Sequence, residues 1–121
     1  ADITDLVGVM FPGNSNQQHA AARILLRLKQ STSPVANLAD LETRFRISRR
    51  TLQRTRAKLS RMGLIHRVGW LNARFGGREG WQLSSRMIGA LRRLADWLDE
   101  WKRDTRTERQ LKDAQLIGLL R

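Results

Sequence analysis

Cysteine is absent from this chain of 121 residues. The sequence therefore excludes a disulfide framework, a thiolate nucleophile and any metal site with Cys ligands, and it favours an intracellular location. Long apolar runs are also missing, because runs such as residues 116–120 fall far short of the roughly 20 residues that a membrane span needs. The start of the chain lacks the basic residues of a secretory signal. We expect a soluble cytoplasmic protein that does not bind a membrane.

Acidic residues are scarce, with 11 Asp and Glu against 23 Lys and Arg, so the formal net charge is +12. The imbalance is local: residues 44–78, the basic segment, contain eleven basic residues and no acidic one, whereas the other 86 residues sum to +1. Apolar residues such as Phe45, Leu52 and Leu59 interrupt the basic segment at regular intervals, which indicates a folded backbone and not a solvated tail. A folded basic surface without acids typically binds a polyanion.

Catalytic and metal-binding constellations are missing as well. His19 and His66 have no second His and no suitably spaced carboxylate near them in sequence, and no nucleophile elbow surrounds Ser84 and Ser85. We therefore expect no enzyme activity, no cofactor and no bound metal.

Two other signals favour RNA or single strands only weakly. Residues 77–80 match the short loop with which KH domains grip RNA, but this loop joins two predicted strands, and glycines are ordinary at a hairpin turn. The four Trp residues could stack on unpaired bases, but packing in the core or in a dimer is the better interpretation.

Apolar periodicity and turn signals predict a mainly α-helical fold with a small β-hairpin. The predicted helices cover residues 2–10, 17–29, a segment capped by Asn37, 49–62, and a long segment after Ser84 and Ser85. The predicted strands are 64–71 and 81–83, joined by a long basic tip at 72–80, and residues 35–36 predict a short extended segment. A capping box at Thr105 and Glu108 marks either a new helix or the continuation of the preceding one.

The best-marked element is the predicted helix 49–62. Ser48 is its expected N-cap, Ile47 and Leu52 stand at the positions of a hydrophobic staple, and Gly63 is the expected C-cap. Apolar side chains and Thr55 recur on one stripe, so the opposite face is almost entirely cationic. That face presents Arg49, Arg50, Gln53, Arg54, Ala57, Lys58 and Arg61.

Two local patterns carry a family resemblance, Ser48-x-x-Thr51-Leu52 at the start of this helix and Leu59-x-x-x-Gly63-Leu64-Ile65 after it. With the order of the elements, they make about residues 17–83 similar to the winged helix-turn-helix of bacterial and archaeal transcription regulators such as the MarR and PadR-like groups. The chain departs from their pattern at three positions. Glu42 stands where these groups usually have Ala, Arg46 where they often have Gly, and Arg56 where they usually have an apolar residue.

The resemblance implies a recognition helix at 49–62 in the DNA major groove, a wing at 72–80 on the backbone or in the minor groove, and flanking helices that dimerise. On this basis residues 1–16 are an N-terminal helix or arm, 17–83 a winged helix-turn-helix DNA-binding domain, and 84–121 C-terminal helices for dimerisation or partner binding.

Side-chain chemistry predicts the role of each exposed residue. Arg suits the paired acceptors of guanine and Gln suits adenine, so the expected base readers on the first turns are Arg49, Arg50, Gln53 and Arg54. The expected phosphate contacts are Thr51, Lys58, Arg61 and Arg67. Arg74 and Arg78 at the hairpin tip are expected to enter a narrow minor groove.

A second interaction surface is predicted near the C-terminus. Its apolar residues alternate steps of four and three, the seam of a helix that packs against another helix. They are Met87, Leu91, Leu94, Leu98 and Trp101. The seam favours a homodimer that reads two half-sites, although it could also pack within one chain or bind a protein partner.

The sequence thus predicts a dimeric, sequence-specific double-stranded DNA-binding protein, a transcription regulator associated with the nucleoid. Two alternatives stay open. One is a DNA-binding module of plasmid or phage partition, replication initiation or nucleoid architecture. The other is a winged helix used only for protein–protein interaction.

Overall fold

The structure, a computed structural model, describes residues 1–69 and 79–120. The described residues are mainly helical, with one two-stranded antiparallel sheet, as the sequence predicts. In chain order the elements are α1 (Ile3–Met10), α2 (Ser15–Lys29), α3 (Asp40–Phe45), α4 (Arg49–Met62), β1 (Ile65–Val68), β2 (Gly80–Leu83), α5 (Arg86–Arg103) and α6 (Thr107–Gly118). They fall into two compact units, Ala1–Met87 and Ile88–Arg121. Within the described residues, no helix is both long and apolar enough to cross a membrane.

The core of the first unit lies where α2 packs against α4 and α1. Helix α2 contributes Ala20, Ala21, Ile24 and Leu28, all buried. Helical spacing predicts a stripe of Ala21, Ile24, Leu25 and Leu28, of which Leu25 is only partly buried. The other buried members are Val7, Phe11, Val35, Leu38, Leu41, Ile47, Leu52, Leu59 and Ile65. Helix α1 therefore belongs to this core through Val7, and so does Phe11, the residue that follows the helix.

Strands β1 and β2 pair from Ile65 opposite Leu83 to Val68 opposite Gly80. A third extended segment joins them at Val35, whose N–H and C=O exchange hydrogen bonds of 2.8 Å with Trp81. The predicted extended segment at residues 35–36 is confirmed at Val35. The predicted strand 64–71 is shorter within the described residues, and its positions 70 and 71 lie outside them.

A tight turn connects α3 to α4. Arg46 ends α3 in the left-handed region, with φ of 53° and ψ of 45°. Its N–H and that of Ile47 both donate to the Glu42 carbonyl oxygen, the latter at 3.1 Å, and Ser48 then begins the next helix. A left-handed residue lets the chain reverse within three residues, so α4 starts close to the end of α3.

The predicted starts of two helices differ from the structure. Helix α2 begins at Ser15, because the Asn14 side chain accepts the Gln17 N–H at 3.0 Å. Helix α3 begins at Asp40 and not next to Asn37, because the Asn37 side chain accepts the Ala39 N–H at 2.7 Å in a turn that precedes the helix.

The predicted capping box of Thr105 and Glu108 is wrong. Helix α6 has Arg106 at its N-cap position without a side-chain cap, and the Asp104 carboxylate accepts the Arg106 N–H at 3.3 Å. Residues 104–106 nevertheless interrupt the helix, so α6 is a new helix and does not continue α5.

Candidate nucleic-acid interface

The first turn of α4 is held by the predicted cap. Ser48 Oγ accepts the Thr51 N–H at 3.1 Å, and its hydroxyl donates to Thr51 Oγ1 at 2.8 Å. Ile47 and Leu52, on either side of this cap, are both buried in the core. At the other end Gly63 adopts φ of 82° and closes the helix, as predicted. Both ends of α4 are therefore fixed to the body of the unit.

One side of α4 is buried and the opposite side is exposed. Leu52, Thr55 and Leu59 are at most 4% exposed. At 100° per residue, the direction opposite to them is occupied by Arg50 and Ala57. We define the α4 basic face as the exposed residues around this direction, which are Arg49, Arg50, Gln53, Arg54, Ala57 and Arg61. It contains five polar side chains, four of them cationic, and the small Ala57 lies at its centre.

Two of the expected phosphate contacts, Thr51 and Lys58, lie at one edge of this face and are half-buried. The Lys58 ammonium lies 4.5 Å from the centre of the Phe11 ring. A cation over an aromatic face is stabilised by the ring quadrupole, so Lys58 joins α4 to the end of α1 as well as adding charge to the edge. No local sequence pattern signals this contact, because the two residues are far apart in the chain.

Arg67 projects from β1 and forms an ion pair with Glu79, just before β2. The Arg67 side chain is 59% exposed and the Glu79 side chain 30% exposed. Glu79 is the first acidic residue after the basic segment, and the antiparallel pairing brings it back to that segment. The sequence alone does not predict this ion pair, in which Glu79 offsets the charge of Arg67, an expected phosphate contact.

Arg56, where winged-helix regulators usually have an apolar residue, packs against the sheet. The Arg56 guanidinium carbon lies 5.0 Å from the centre of the Trp81 ring, and Trp81 packs against the core. The aliphatic part of an Arg side chain can cover apolar surface while its charged end stays near water. Arg56 therefore occupies a packing position, between the α4 basic face and the sheet.

The predicted wing lies largely outside the described residues. Arg74 and Arg78, its two expected DNA contacts, are among residues 70–78, and only Glu79 and Gly80 of the segment 72–80 are described. Gly80 approaches the neighbouring backbone closely, since a Cβ there would lie 2.6 Å from the carbonyl carbon and oxygen of Val35. At the start of β2, only glycine fits without a backbone shift.

A surface cavity of about 400 Å³ opens beside the N-terminal half of α4. It is lined by Asn37, Ala39, Glu42, Arg49, Leu52, Gln53 and Arg56. Two expected base readers thus lie at its rim. Over the part of the chain that the structure describes, no three His, Cys, Asp or Glu side chains form a group that could hold a metal ion.

The predicted seam lies on α5. Met87 is half-buried, whereas Leu91, Leu94, Leu98 and Trp101 are between 49% and 62% exposed. No residue of α5 is buried, so the seam does not contribute to a core within the described chain. Trp101 donates its indole N–H to the Asp113 carboxylate of α6 at 2.9 Å, inside the second unit.

Compared with protein-family models, with curated proteins and with solved structures, the chain matches none of them. The resemblance to winged-helix regulators therefore depends on the quoted residues and on the order of the elements.

Proposed function

We propose that this protein is a dimeric, sequence-specific double-stranded DNA-binding protein of winged-helix architecture that acts as a transcription regulator. The observation that carries the proposal is the α4 basic face: four arginines and a glutamine, all exposed, on a helix whose opposite side is buried and whose two ends are capped. A helix of this kind has the diameter that the major groove admits.

The order of secondary structure supports the winged-helix assignment. Helices α3 and α4 are joined by a turn of three residues, and α4 is followed by two antiparallel strands that a third extended segment joins at Val35. In a helix-turn-helix protein the second helix enters the groove, and its N-terminal residues contact base edges. Helix α4 takes this place.

Within the α4 basic face, we assign base reading to the N-terminal residues and contact with the DNA backbone to the C-terminal residue, Arg61. Arg49, Arg50, Gln53 and Arg54 lie on the first two turns, where a helix that points into the groove reaches base edges. Arg61 lies two turns further on, at the level expected of the phosphates. Ala57, between them, leaves room for the helix backbone to approach the bases.

Fluorescence anisotropy with labelled duplexes, after selection of binding sites from random DNA, tests this proposal. The double variant Arg50→Gln/Arg54→Gln should bind selected and random duplexes with nearly equal affinity, since each lost base contact costs about 1–3 kcal/mol of discrimination. The variant Arg61→Gln should weaken all duplexes alike and reduce the salt dependence by about 0.9 in log–log slope. The control Lys29→Gln/Lys112→Gln removes two charges from exposed residues of α2 and α6 and should keep the sequence preference.

Three results would contradict the proposal. The first is a wild-type protein without duplex affinity at moderate salt, which favours the interaction module. The second is an equal loss on every sequence from all of these variants. The third is a selected site made of an extended array of repeats in place of a single inverted repeat, which favours a partition or architectural role.

A further inference from the structure

A second cluster of arginines lies between α2 and α3 and shares no residue with the α4 basic face. Helix α2 places Arg23, Arg27 and Gln30 in one row, because residues three or four apart lie on the same side of a helix. This row borders a surface cavity of about 210 Å³. We define the arginine pocket as the described lining of this cavity, which is Arg23, Leu26, Arg27, Gln30, Leu41, Arg44 and Phe45.

Two guanidinium groups of the pocket share one aromatic ring. The guanidinium carbon of Arg23 lies 3.8 Å from the centre of the Phe45 ring, and that of Arg44 lies 5.1 Å from it. Both distances end at the same point, so the two carbons are no more than about 9 Å apart, within the Debye length of about 10 Å at 0.1 M salt. The two cations therefore repel each other, while the ring attracts both.

Arg27 adds a third cation to the same pocket. Arg23 and Arg27 are half-buried, and partial loss of solvent penalises a charge that no counter-ion offsets. Of the described residues that line the pocket, none is acidic. An anion in the pocket would therefore offset three charges at once.

The contacts that these arginines make within the described chain leave them N–H groups to donate. Arg23 donates its Nε–H to His19 Nε2 at 3.3 Å. Arg44 lies 3.7 Å from the Asp40 carboxylate, and both side chains of this ion pair are exposed, so it contributes little. Because a guanidinium has five N–H donors, each of the two arginines can bind a further acceptor.

The chemistry of the pocket fits a phosphate group. The planar guanidinium fork donates two parallel hydrogen bonds to a phosphate or a carboxylate. A carboxylate has two oxygens in one plane, whereas the oxygens of a phosphate group surround a tetrahedral centre. A phosphate can therefore accept from guanidinium groups that approach from two helices, and the Gln30 amide can donate to it as well.

We infer that the arginine pocket binds a phosphate group, held by Arg23 and Arg27 of α2 and by Arg44 of α3. This inference goes beyond the proposed function, since it does not depend on the α4 basic face. A small phosphorylated molecule and the DNA backbone both carry such a group, and a duplex titration distinguishes the two sources.

Titration with inorganic phosphate at constant ionic strength, followed by NMR of the arginine Nε–Hε signals, tests the pocket directly. The signals of Arg23, Arg27 and Arg44 should shift and saturate together. Those of Arg92 and Arg93, which are exposed on α5, should not saturate. Chloride at the same ionic strength should give no saturable shift, because its single charge lacks the oxygens that a guanidinium fork recognises.

A double variant connects this binding to the pocket. Arg27→Gln/Arg44→Gln should raise the dissociation constant for phosphate by about tenfold or more, because it removes two sets of charge-assisted hydrogen bonds. It retains Arg23, the arginine nearest to the aromatic ring, and far-UV circular dichroism checks that the helices persist. The matched control Arg92→Gln/Arg93→Gln removes two exposed charges from α5 and should leave the dissociation constant unchanged.

Fluorescence anisotropy with duplexes identifies the source of the phosphate group. If a backbone phosphate occupies the pocket, Arg27→Gln/Arg44→Gln should weaken all duplexes alike and lower the log–log salt slope by about 0.9, the value for one phosphate contact. Duplex binding equal to that of the wild type, together with saturable phosphate binding, identifies a small phosphorylated molecule as the source.

The inference is overturned if no signal of the pocket saturates, if the α5 arginines shift as much, or if Arg27→Gln/Arg44→Gln binds phosphate as tightly as the wild type. A protein that binds duplexes as proposed but gives no saturable phosphate shift overturns this inference alone. A wild-type protein without duplex affinity overturns the proposed function and not this inference, because the phosphate titration uses no DNA.

Discussion

The guanidinium carbon of Arg56 lies 5.0 Å from the centre of the Trp81 ring, so a cation on α4 packs on an aromatic residue of β2. Trp81 in turn exchanges two hydrogen bonds of 2.8 Å with Val35. One side chain of α4 is thereby connected to the whole sheet, next to the face that we propose enters the groove. The orientation of α4 relative to the strands depends in part on this contact.

Replacement of Arg56 by Ala should lower the free energy of unfolding by about 1 kcal/mol, the value of a partly desolvated cation–π contact. Arg61→Ala is the control, since Arg61 is exposed and should change stability by less than about 0.5 kcal/mol. Urea unfolding followed by far-UV circular dichroism measures both. Equal effects of the two substitutions would show that the Trp81 contact adds no stability.

Gly80 and Gly8 should respond to Ala in opposite directions. A Cβ at position 80 would meet the Val35 carbonyl group at 2.6 Å and the Ala36 nitrogen at 2.9 Å, and backbone atoms cannot move away cheaply. Gly80→Ala should cost about 2 kcal/mol, as overpacking typically does. Gly8 lies within α1 with no described atom in the way, so Gly8→Ala should add about 0.5–1 kcal/mol. Thermal unfolding distinguishes the two, and a stable Gly80→Ala variant would contradict the close approach.

Glu79→Gln should strengthen binding to duplexes. The substitution removes the negative charge that lies just before β2 and releases Arg67 from its ion pair. We expect about a two- to tenfold higher affinity at low salt, with a smaller gain as salt screens the charges. Anisotropy titrations measure this effect. The control is Glu108→Gln, which removes an exposed acidic residue from α6. If Glu79→Gln leaves the affinity for duplexes at low salt unchanged, Arg67 does not belong to the interface.

The link between α5 and α6 should depend on pH only in strong acid. Arg106 donates to both Asp104 carboxylate oxygens, at 2.9 and 2.8 Å, and these hydrogen bonds lower the Asp104 pKa from its ordinary value of 3.8 to about 2. Because the folded pKa is depressed, the stabilisation is complete above about pH 4 and is lost as the pH falls through about 2. Carboxyl titration by NMR should report this low pKa, and Arg106→Gln should return it towards 3.8.

Elements with local signals at both ends were predictable from the sequence. Helix α4 has the predicted bounds because Ser48 and Gly63, its two caps, act on their immediate neighbours. The capping box of Asp2 and Asp5 at the start of α1 was missed, although both residues are acids in the right spacing. The predicted box of Thr105 and Glu108 does not form: Arg106 stands at the N-cap position, and Asp104 accepts its backbone N–H at 3.3 Å and its Nε–H at 2.9 Å.

In the candidate site, too, the features with local sequence signals were predictable and the long-range contacts were not. Exposure of the α4 basic face follows from helical periodicity, so its members could be named from sequence. The contacts of Lys58 with Phe11, and of Arg67 with Glu79, join residues that only the tertiary fold brings together. No local pattern predicts which basic side chains of the segment are already engaged.

Phe11 is 1% exposed, and its ring contacts the Lys58 ammonium of α4. A chain shortened to begin at residue 14 would lose Val7 and Phe11 from the core cluster, and Lys58 would lose its aromatic neighbour. Such a shortened protein should therefore be less stable at the helix that carries the arginines, even though the missing residues contain no basic side chain. Any minimal fragment intended to bind a duplex must retain the first helix.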